Sequence, residues 1–193
     1  MKRFIIGVSG ASGTIYAVRL LQVLQGVAGI ETHLIISTAA RQTLILETRL
    51  SIRDVQAMAD VVHDPRDIAA SISSGSFKTA GMVILPCSVK TLSGIVHSYG
   101  DNLLIRAADV TLKERRPLVL CVRETPFHVG HLKLMVQAAE SGAVIMPPLP
   151  AFYHQPQTLQ DIIDHTIGRV IDQFDIELPE DLCARWQGQA HNR

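Results

Sequence analysis

The sequence predicts an α/β fold with a doubly wound, mostly parallel sheet, and three observations support this class. Short apolar runs alternate with helical patterns along the chain, as they do in successive βαβ units. The first apolar run passes through a Gly/Ser-rich turn directly into a helical pattern. A length of 193 residues with 47% hydrophobic content suits one domain with a buried core.

Five strands and seven helices are expected. The strands are predicted at residues 3–9, 32–37, 82–86, 118–122 and 143–146. The helices are predicted near residues 13–25, 39–48, 51–59, 88–95, 103–113, 131–141 and 159–174. The last helix has the clearest pattern, since Thr158 and Asp161 form a start signal and the apolar residues that follow share one face.

These elements predict a single-domain, Rossmann-like (flavodoxin-like) fold over residues 1–193. The C-terminal helix and tail, from about residue 158 to 193, are expected to pack at subunit interfaces.

Composition argues against several classes of function. Lys plus Arg and Asp plus Glu both total 18, so no global charge favours nucleic acid or a membrane surface. The apolar runs are too short to span a bilayer and the start lacks a signal-peptide pattern, which predicts a cytoplasmic protein. Three cysteines without C-x-x-C spacing suggest neither disulfides nor a zinc site.

The turn at residues 7–13 is the first candidate binding site. It follows a strand and opens a helix, whose N-terminus offers backbone N–H groups and a positive dipole end to an anion. Gly10 and Gly13 permit a close approach, and Ser9 and Ser12 add hydroxyl donors. The turn therefore predicts a phosphate site, with an ordinary glycine connection as the alternative, because it is neither a Walker A sequence nor a full G-x-G-x-x-G.

Two further strand ends carry hydroxyl groups before a helix. One ends in Ser37, and the other continues into Ser88, Val89, Lys90 and Thr91. Such ends converge on the crevice where open α/β sheets bind ligands, so together they favour a nucleotide. Taken singly, each serine could be an ordinary helix N-cap.

Several charged residues on predicted helices are candidates. Arg106, Asp109 and Lys113 share a helix face, and a solvated face with local ion pairs is the alternative interpretation. Glu47 ends an apolar helix and could be a plain surface carboxylate. Arg169 lies in an apolar stretch and needs a partner, which a phosphate could provide.

Other candidates lie outside the helices. Arg123 and Glu124 end an apolar run, so they should point into the ligand crevice or into solvent. Tyr153 follows a proline-rich loop, and the single tryptophan, Trp186, lies in a polar tail. His128 and His131 could share a helix face, but no third ligand is near, so no metal is expected. The other histidines form no cluster in the sequence: His33, His63, His97, His165 and His191.

Six ordered motifs carry a resemblance to a known family. They are Gly10-Ala11-Ser12-Gly13, Pro86-Cys87-Ser88 with Thr91-Leu92-Ser93, Arg106-Ala107-Ala108-Asp109-Val110, Leu112-Lys113-Glu114-Arg115-Arg116-Pro117-Leu118, Arg123-Glu124 and Phe152-Tyr153-His154-Gln155-Pro156. Together they resemble the flavin prenyltransferases of the UbiX type, formerly called aromatic acid decarboxylases. The resemblance runs from residue 5 to 186 and is far more specific than the glycine turn alone.

The resemblance implies a metal-independent transfer of a dimethylallyl group from dimethylallyl monophosphate to reduced FMN. The group would join N5 and C6 of the flavin, and the prenylated FMN would serve a UbiD-type decarboxylase. Family members form large assemblies, usually dodecamers, in which subunits share sites. Tyr153, Arg169 and Trp186 could therefore serve a neighbour's flavin.

Site residues follow from the same resemblance. Lys113, Tyr153 and Arg169 would bind the dimethylallyl phosphate with Arg106 nearby, and Glu47, Glu124 and Trp186 would line the reacting centre. Val89 and Lys90 depart from the smaller or uncharged residues of many members, and this segment could contact the flavin through its backbone. FMN would be held by Gly10, Ala11, Ser12, Ser37, Ser88, Val89, Lys90, Thr91 and Arg123.

Two alternative functions remain open at this point. One is an FMN-dependent decarboxylase of the cysteine-decarboxylase group, whose catalytic histidine lies in the helix after the second strand; residues 39–48 contain none. The other is a non-catalytic FMN carrier, which would need neither Lys113 nor Arg169.

Overall fold

A computed structural model describes residues 1–183 and residue 185. Its strands are β1 (Lys2–Val8), β2 (Ile30–Ile36), β3 (Val61–His63), β4 (Gly81–Cys87), β5 (Leu118–Val122) and β6 (Val144–Ile145). They form a six-stranded sheet in the order β3-β2-β1-β4-β5-β6, with parallel pairing throughout. The strand order reverses between β1 and β4, which is where open α/β sheets form a binding crevice.

Helices cover both faces of this sheet. They are α1 (Thr14–Leu24), α2 (Thr38–Glu47), α3 (Ile52–Gln56), α4 (Val89–Val96), α5 (Leu103–Lys113), α6 (Val129–Glu140) and α7 (Leu159–Ile171). Helices α1, α2, α3 and α7 pack against one face, and α4, α5 and α6 pack against the other. The predicted doubly wound α/β fold is confirmed.

Strand β1 shows why the sheet is covered on both sides. Phe4, Ile6 and Val8 are buried in the core under α1 and α7, whereas Ile5 is buried in the core under α4 and α5. Side chains alternate between faces along a strand, so an apolar run without polar alternation requires two apolar layers. Polar side chains that could bind a ligand are consequently expected in the loops at the strand ends.

The predicted elements are confirmed, and the structure differs from the prediction in one additional strand and in the ends of several elements, including α3, which ends at Gln56 and not at residue 59. Strand β3 was not predicted, because a three-residue strand gives little periodic signal. Helix α6 begins at Val129, with His128 as its N-cap, earlier than the predicted residue 131. Helix α7 ends at Ile171, and the apolar positions as far as Phe174 continue into a turn. None of the helices in the described residues is long and apolar enough to cross a membrane.

Candidate functional site

The crevice at the carboxyl end of the sheet is organised by Ser9, which follows β1 and is buried. Its Oγ donates to the Pro86 carbonyl at 3.0 Å and accepts from the Ser88 N–H at 2.7 Å. The hydroxyl thus joins the ends of β1 and β4 at the point where the strand order reverses. The buried Ser9 side chain therefore holds the loop after β1 against the loop after β4.

Backbone hydrogen bonds bring two more loops to the same edge. The Ser37 N–H donates to the Val8 carbonyl at 2.9 Å, and the Arg123 N–H donates to the Cys87 carbonyl at 3.0 Å. The loops after β1, β2, β4 and β5 therefore adjoin one another. Along this edge lie the predicted flavin residues Gly10, Ala11, Ser12, Ser37, Ser88, Val89, Lys90, Thr91 and Arg123.

Ser37 and Ser88 are helix N-caps. Ser37 Oγ accepts from the Ala40 N–H at 3.1 Å, and Ser88 Oγ accepts from the Thr91 N–H at 3.3 Å. Ser88 Oγ also donates to Thr91 Oγ1 at 3.1 Å. The capping interpretation of these serines is confirmed, and it places the positive N-termini of α2 and α4 at the crevice.

Glu47 occupies the start of α1, where the sequence predicted a phosphate. One carboxylate oxygen accepts from the N–H groups of Gly13 at 2.9 Å and Thr14 at 3.0 Å and from the Thr14 hydroxyl at 2.9 Å. Burial raises the pKa of this carboxyl, but hydrogen bonds from Ser12, Thr14 and Gly13 outweigh it and hold the pKa below its usual value. These two N–H groups thus meet a carboxylate of the same chain and not the phosphate that the sequence predicted there.

The turn before α1 also packs tightly against α2. A Cβ added at Gly10 would lie 2.4 Å from the Ala39 Cβ, closer than any side chain tolerates. Gly13 has a φ of 102°, in the left-handed region that favours glycine. The two glycines are therefore required by close approach and by backbone conformation, respectively.

Arg123 and Glu124 follow β5 at the same edge. Arg123 is exposed, and a carboxylate oxygen of Glu124 accepts from the Thr125 N–H at 2.9 Å. Lys90 is exposed on α4 and lines a cavity that also includes Tyr99.

A second polar cluster lies on the face of α7. Tyr153 Oη is 2.7 Å from His165 Nε2, and the His154 ring stacks on His165 with centroids 4.5 Å apart. The expectation that His165 belongs to no cluster is wrong. It is wrong for His33 and His63 as well, whose nitrogens are 2.9 Å apart. Sequence spacing gave no signal because each cluster is assembled by separate elements.

Arg169 borders the same cluster, and its partner is a carboxylate. Its Nη1 donates to Asp172 at 2.8 Å, and Arg185 donates to Asp172 at 3.0 Å. Both arginines line a cavity of about 880 Å³ together with Tyr153 and His165. The cavity therefore gathers two of the predicted prenyl-phosphate residues, Tyr153 and Arg169.

The other predicted phosphate residues lie on the opposite face of the sheet. Arg106 pairs with Asp109 at 2.9 Å, and Lys113 pairs with Glu114 at the end of α5. Helix α5 packs on the face opposite α7, so the sheet separates Lys113 from Tyr153 and Arg169. Within one chain these residues cannot contact one phosphate. The remaining candidate, Trp186, lies outside the described residues.

A histidine pair lies at the start of α6. The rings of His128 and His131 have centroids 3.5 Å apart and planes tilted by 34°, and His128 Nδ1 accepts from the Gly130 N–H. Across residues 1–183 and residue 185, no group of three or more His, Cys, Asp or Glu side chains is placed to hold a metal ion.

Comparisons with known proteins show the family of this chain. Residues 1–170 match the family described as Flavoprotein. The flavin prenyltransferase UbiX of Salmonella typhimurium is 75% identical over 188 residues, which cover 97% of this chain and all of that protein.

Two solved structures are similar over almost the whole chain. A dodecameric FMN-dependent UbiX-like decarboxylase from Escherichia coli is 50% identical, with a TM-score of 0.92 over 96% of this chain and all of that one. AnUbiX (PadA1), solved in complex with FMN and dimethylallyl pyrophosphate, is 43% identical, with a TM-score of 0.92 over 97% of this chain and 98% of that one. The chain therefore belongs to the flavoprotein family and, within it, to the flavin prenyltransferases of the UbiX type.

Proposed function

We propose that this protein transfers a dimethylallyl group from dimethylallyl monophosphate to reduced FMN and supplies the prenylated FMN to a UbiD-type decarboxylase. The carbon–oxygen bond of the donor breaks, a bond to flavin N5 forms, and inorganic phosphate leaves with a proton from the flavin. Closure to C6 then adds the fourth ring: the prenyl double bond takes up a proton, its tertiary carbon bonds C6, and the C6 hydrogen leaves as a proton. The observation that carries this proposal is the crevice at the β1–β4 switch point, built from the residues that the family resemblance assigns to FMN.

The residues at this crevice suit a flavin nucleotide. The turn at Gly10 has no room for a side chain, the N-termini of α2 and α4 attract an anion, and Arg123 is an exposed cation. We assign FMN binding to Gly10, Ala11, Ser12, Ser37, Ser88, Val89, Lys90, Thr91 and Arg123. FMN bound there supplies the reduced ring that accepts the prenyl group.

Cations and a hydroxyl would bind the prenyl phosphate. Lys113, Arg169 and Tyr153, with Arg106 nearby, neutralise the charge that grows on the departing phosphate, so the reaction needs no metal ion. Glu124 relays a proton at the reacting centre, and the role proposed for Trp186 is to stabilise positive charge on the allylic carbons through its aromatic face. Glu47, whose carboxylate accepts from the Gly13 and Thr14 N–H groups, lines the reacting centre beside the flavin.

This division of the phosphate residues between two faces of the sheet supports a site shared by several copies, in a homo-oligomer that we propose is a dodecamer. The surface agrees with such an assembly. On α6, Val129, Leu132 and Val136 are 66%, 49% and 56% exposed. Phe127, just before α6, and Phe152, after β6, are also exposed. Exposed apolar side chains at helical spacing indicate a surface that another subunit covers.

The alternative functions make different demands. A cysteine decarboxylase of the related flavoprotein group uses a histidine in the helix after the second strand, and α2 contains none. A non-catalytic FMN carrier has no use for the cations Lys113 and Arg169. Binding of dimethylallyl monophosphate therefore separates the carrier from the transferase.

The experiment is anaerobic incubation of the protein with reduced FMN and dimethylallyl monophosphate, followed by mass spectrometry of the extracted flavin. We expect a flavin heavier by one prenyl unit. Recovery of unmodified FMN alone would rule out the transferase for this chain. A parallel incubation with the diphosphate establishes which donor is used.

A further inference from the structure

The imidazole of His165 lies directly behind the Tyr153 hydroxyl. Tyr153 is 51% exposed, whereas His165 is only 7% exposed on the buried side of α7. The 2.7 Å between Tyr153 Oη and His165 Nε2 is the length of a strong hydrogen bond. An exposed phenol is thereby joined to a buried ring.

The His154 ring packs against the His165 ring and restricts its orientation. The His154 and His165 rings are parallel within 8° and stacked with centroids 4.5 Å apart. Both ring nitrogens of His154 are buried, and neither has a hydrogen-bond partner among residues 1–183 and 185. Its contact with His165 is consequently through the ring faces, which restricts rotation of the His165 ring without competing for Nε2.

The protonation state of His165 decides how many ring N–H groups it can donate. Burial lowers the pKa of His165, and the nearby charges of His154 and Arg169 lower it further, against the opposing effect of Asp172. The ring is therefore neutral near neutral pH and carries a single N–H. If that N–H is on Nε2, Tyr153 Oη accepts it and the phenol proton is directed away from His165.

The surroundings of Tyr153 favour that direction. The phenol lines the same cavity as the guanidinium groups of Arg169 and Arg185, which Asp172 holds side by side. The cavity also contains the carboxylates Asp181 and Glu177. A phosphate bound at Arg169 accepts hydrogen bonds only, so Tyr153 contributes there only as a donor.

We propose that His165 is a positioning residue that donates its Nε2 proton to Tyr153 and so aims the Tyr153 hydroxyl at the phosphate of the prenyl donor. This inference rests on the proposed function, and it adds a group that neither the sequence pattern nor the family resemblance assigned. His165 itself touches no substrate and acts through the phenol alone.

The test is a double-mutant cycle on the FMN-loaded protein, with His165→Leu, Tyr153→Phe and the double variant. Binding of dimethylallyl monophosphate is measured by calorimetry, and its KM is measured in the prenylation assay. We expect His165→Leu to raise both the dissociation constant and the KM of dimethylallyl monophosphate about tenfold, as suits the loss of one hydrogen bond to a charged ligand. The affinity for FMN should stay within about twofold of the wild-type value. In the Tyr153→Phe background the same change should add nothing further.

Two further variants sharpen the result. His165→Gln keeps an N–H donor near the Nε2 position and should recover most of the lost affinity, whereas His97→Leu, at the exposed C-cap of α4 on the other face, serves as a histidine control away from the cavity. Equal losses from His165→Leu with and without the Tyr153 hydroxyl would overturn the inference, as would an unchanged KM. Failure of the wild-type protein to prenylate FMN would refute the proposed function, while the binding cycle would still decide the role of His165.

Discussion

Glu47 illustrates what the sequence could and could not predict at the scale of one residue. Its position at the end of a helix was predictable, and the surface-carboxylate interpretation agrees with its exposure. Its partners were not, because the N–H groups of Gly13 and Thr14 lie more than thirty positions earlier in the chain. Only the packing of α1 beside α2 brings the carboxylate to that helix start.

Replacing Glu47 tests this contact. Because the carboxylate is exposed, we expect Glu47→Ala to lower the free energy of unfolding by only about 1 kcal/mol, and Glu47→Gln, which keeps an acceptor, to lower it less. The native-state pKa is lowered, so the stabilisation is present above the usual carboxyl value of 4.5 and is lost as pH falls through the native value. Urea unfolding at neutral and acidic pH measures both effects.

The control is Glu140→Ala at the exposed end of α6. A loss of stability for Glu47→Ala that persists unchanged in acid would contradict the role of the ionised carboxylate.

Glu124 is the residue on which the proposed proton transfer depends. Glu124→Gln keeps an oxygen to accept the Thr125 N–H, so the loop after β5 should be preserved. We expect bound FMN to be unchanged and the rate of prenylated FMN formation to fall about 100-fold or more, as for loss of a general acid–base group. The flavin absorbance of the purified protein measures the bound FMN, and single-turnover kinetics measures the rate of prenylated FMN formation. A variant that turns over at the wild-type rate would remove Glu124 from the mechanism.

At the scale of elements, the agreement between sequence and structure follows the strength of each pattern. The strands β1, β4 and β5 were predicted because each contains an uninterrupted, buried apolar run. Strand β3 pairs with β2 over three residues at the edge of the sheet, too short for any period to show. The hydroxyl-bearing ends of β1, β2 and β4 were predictable one by one, but the hydrogen bonds of Ser9 that join two of them were not.

The contact between the β1–α1 turn and α2 gives a prediction at this scale. In Gly10→Ala the new methyl group would overlap Ala39, so the turn must move away from α2. We expect weaker FMN binding and a loss of about 1–3 kcal/mol in the free energy of unfolding, typical of overpacking. Adding Ala39→Gly should restore both, since it removes the overlapping carbon.

Gly100→Ala is the matched control, because a Cβ there meets only ordinary contacts near Arg106. Fluorescence titration with FMN measures the affinity of the three variants, and urea unfolding measures their stability. If Ala39→Gly fails to rescue Gly10→Ala, the close approach of the turn to α2 is not the reason for glycine at this position.

At the scale of the whole molecule, the sheet divides the candidate site. The crevice lies at the carboxyl ends of the strands, Tyr153 and Arg169 lie on the α7 face, and Lys113 lies at the end of α5 on the other face. Arg116, which follows α5, donates to the carbonyls of Gly75 and Phe77 before β4, so Lys113 is near the amino ends of the strands. These residues could be predicted from the sequence, but their separation by the sheet within one chain could not.

The central claim is that separate copies complete one prenyl-transfer site. Lys113→Ala and Arg169→Ala chains, each purified alone, should form little prenylated FMN. Co-expressed with different tags and purified as mixed assemblies, they should recover about a quarter of the wild-type activity, since half the sites draw an intact lysine and half of those an intact arginine from different copies. Mixed assemblies as inactive as either variant alone would show that both residues serve a site from the same chain, which would contradict the account.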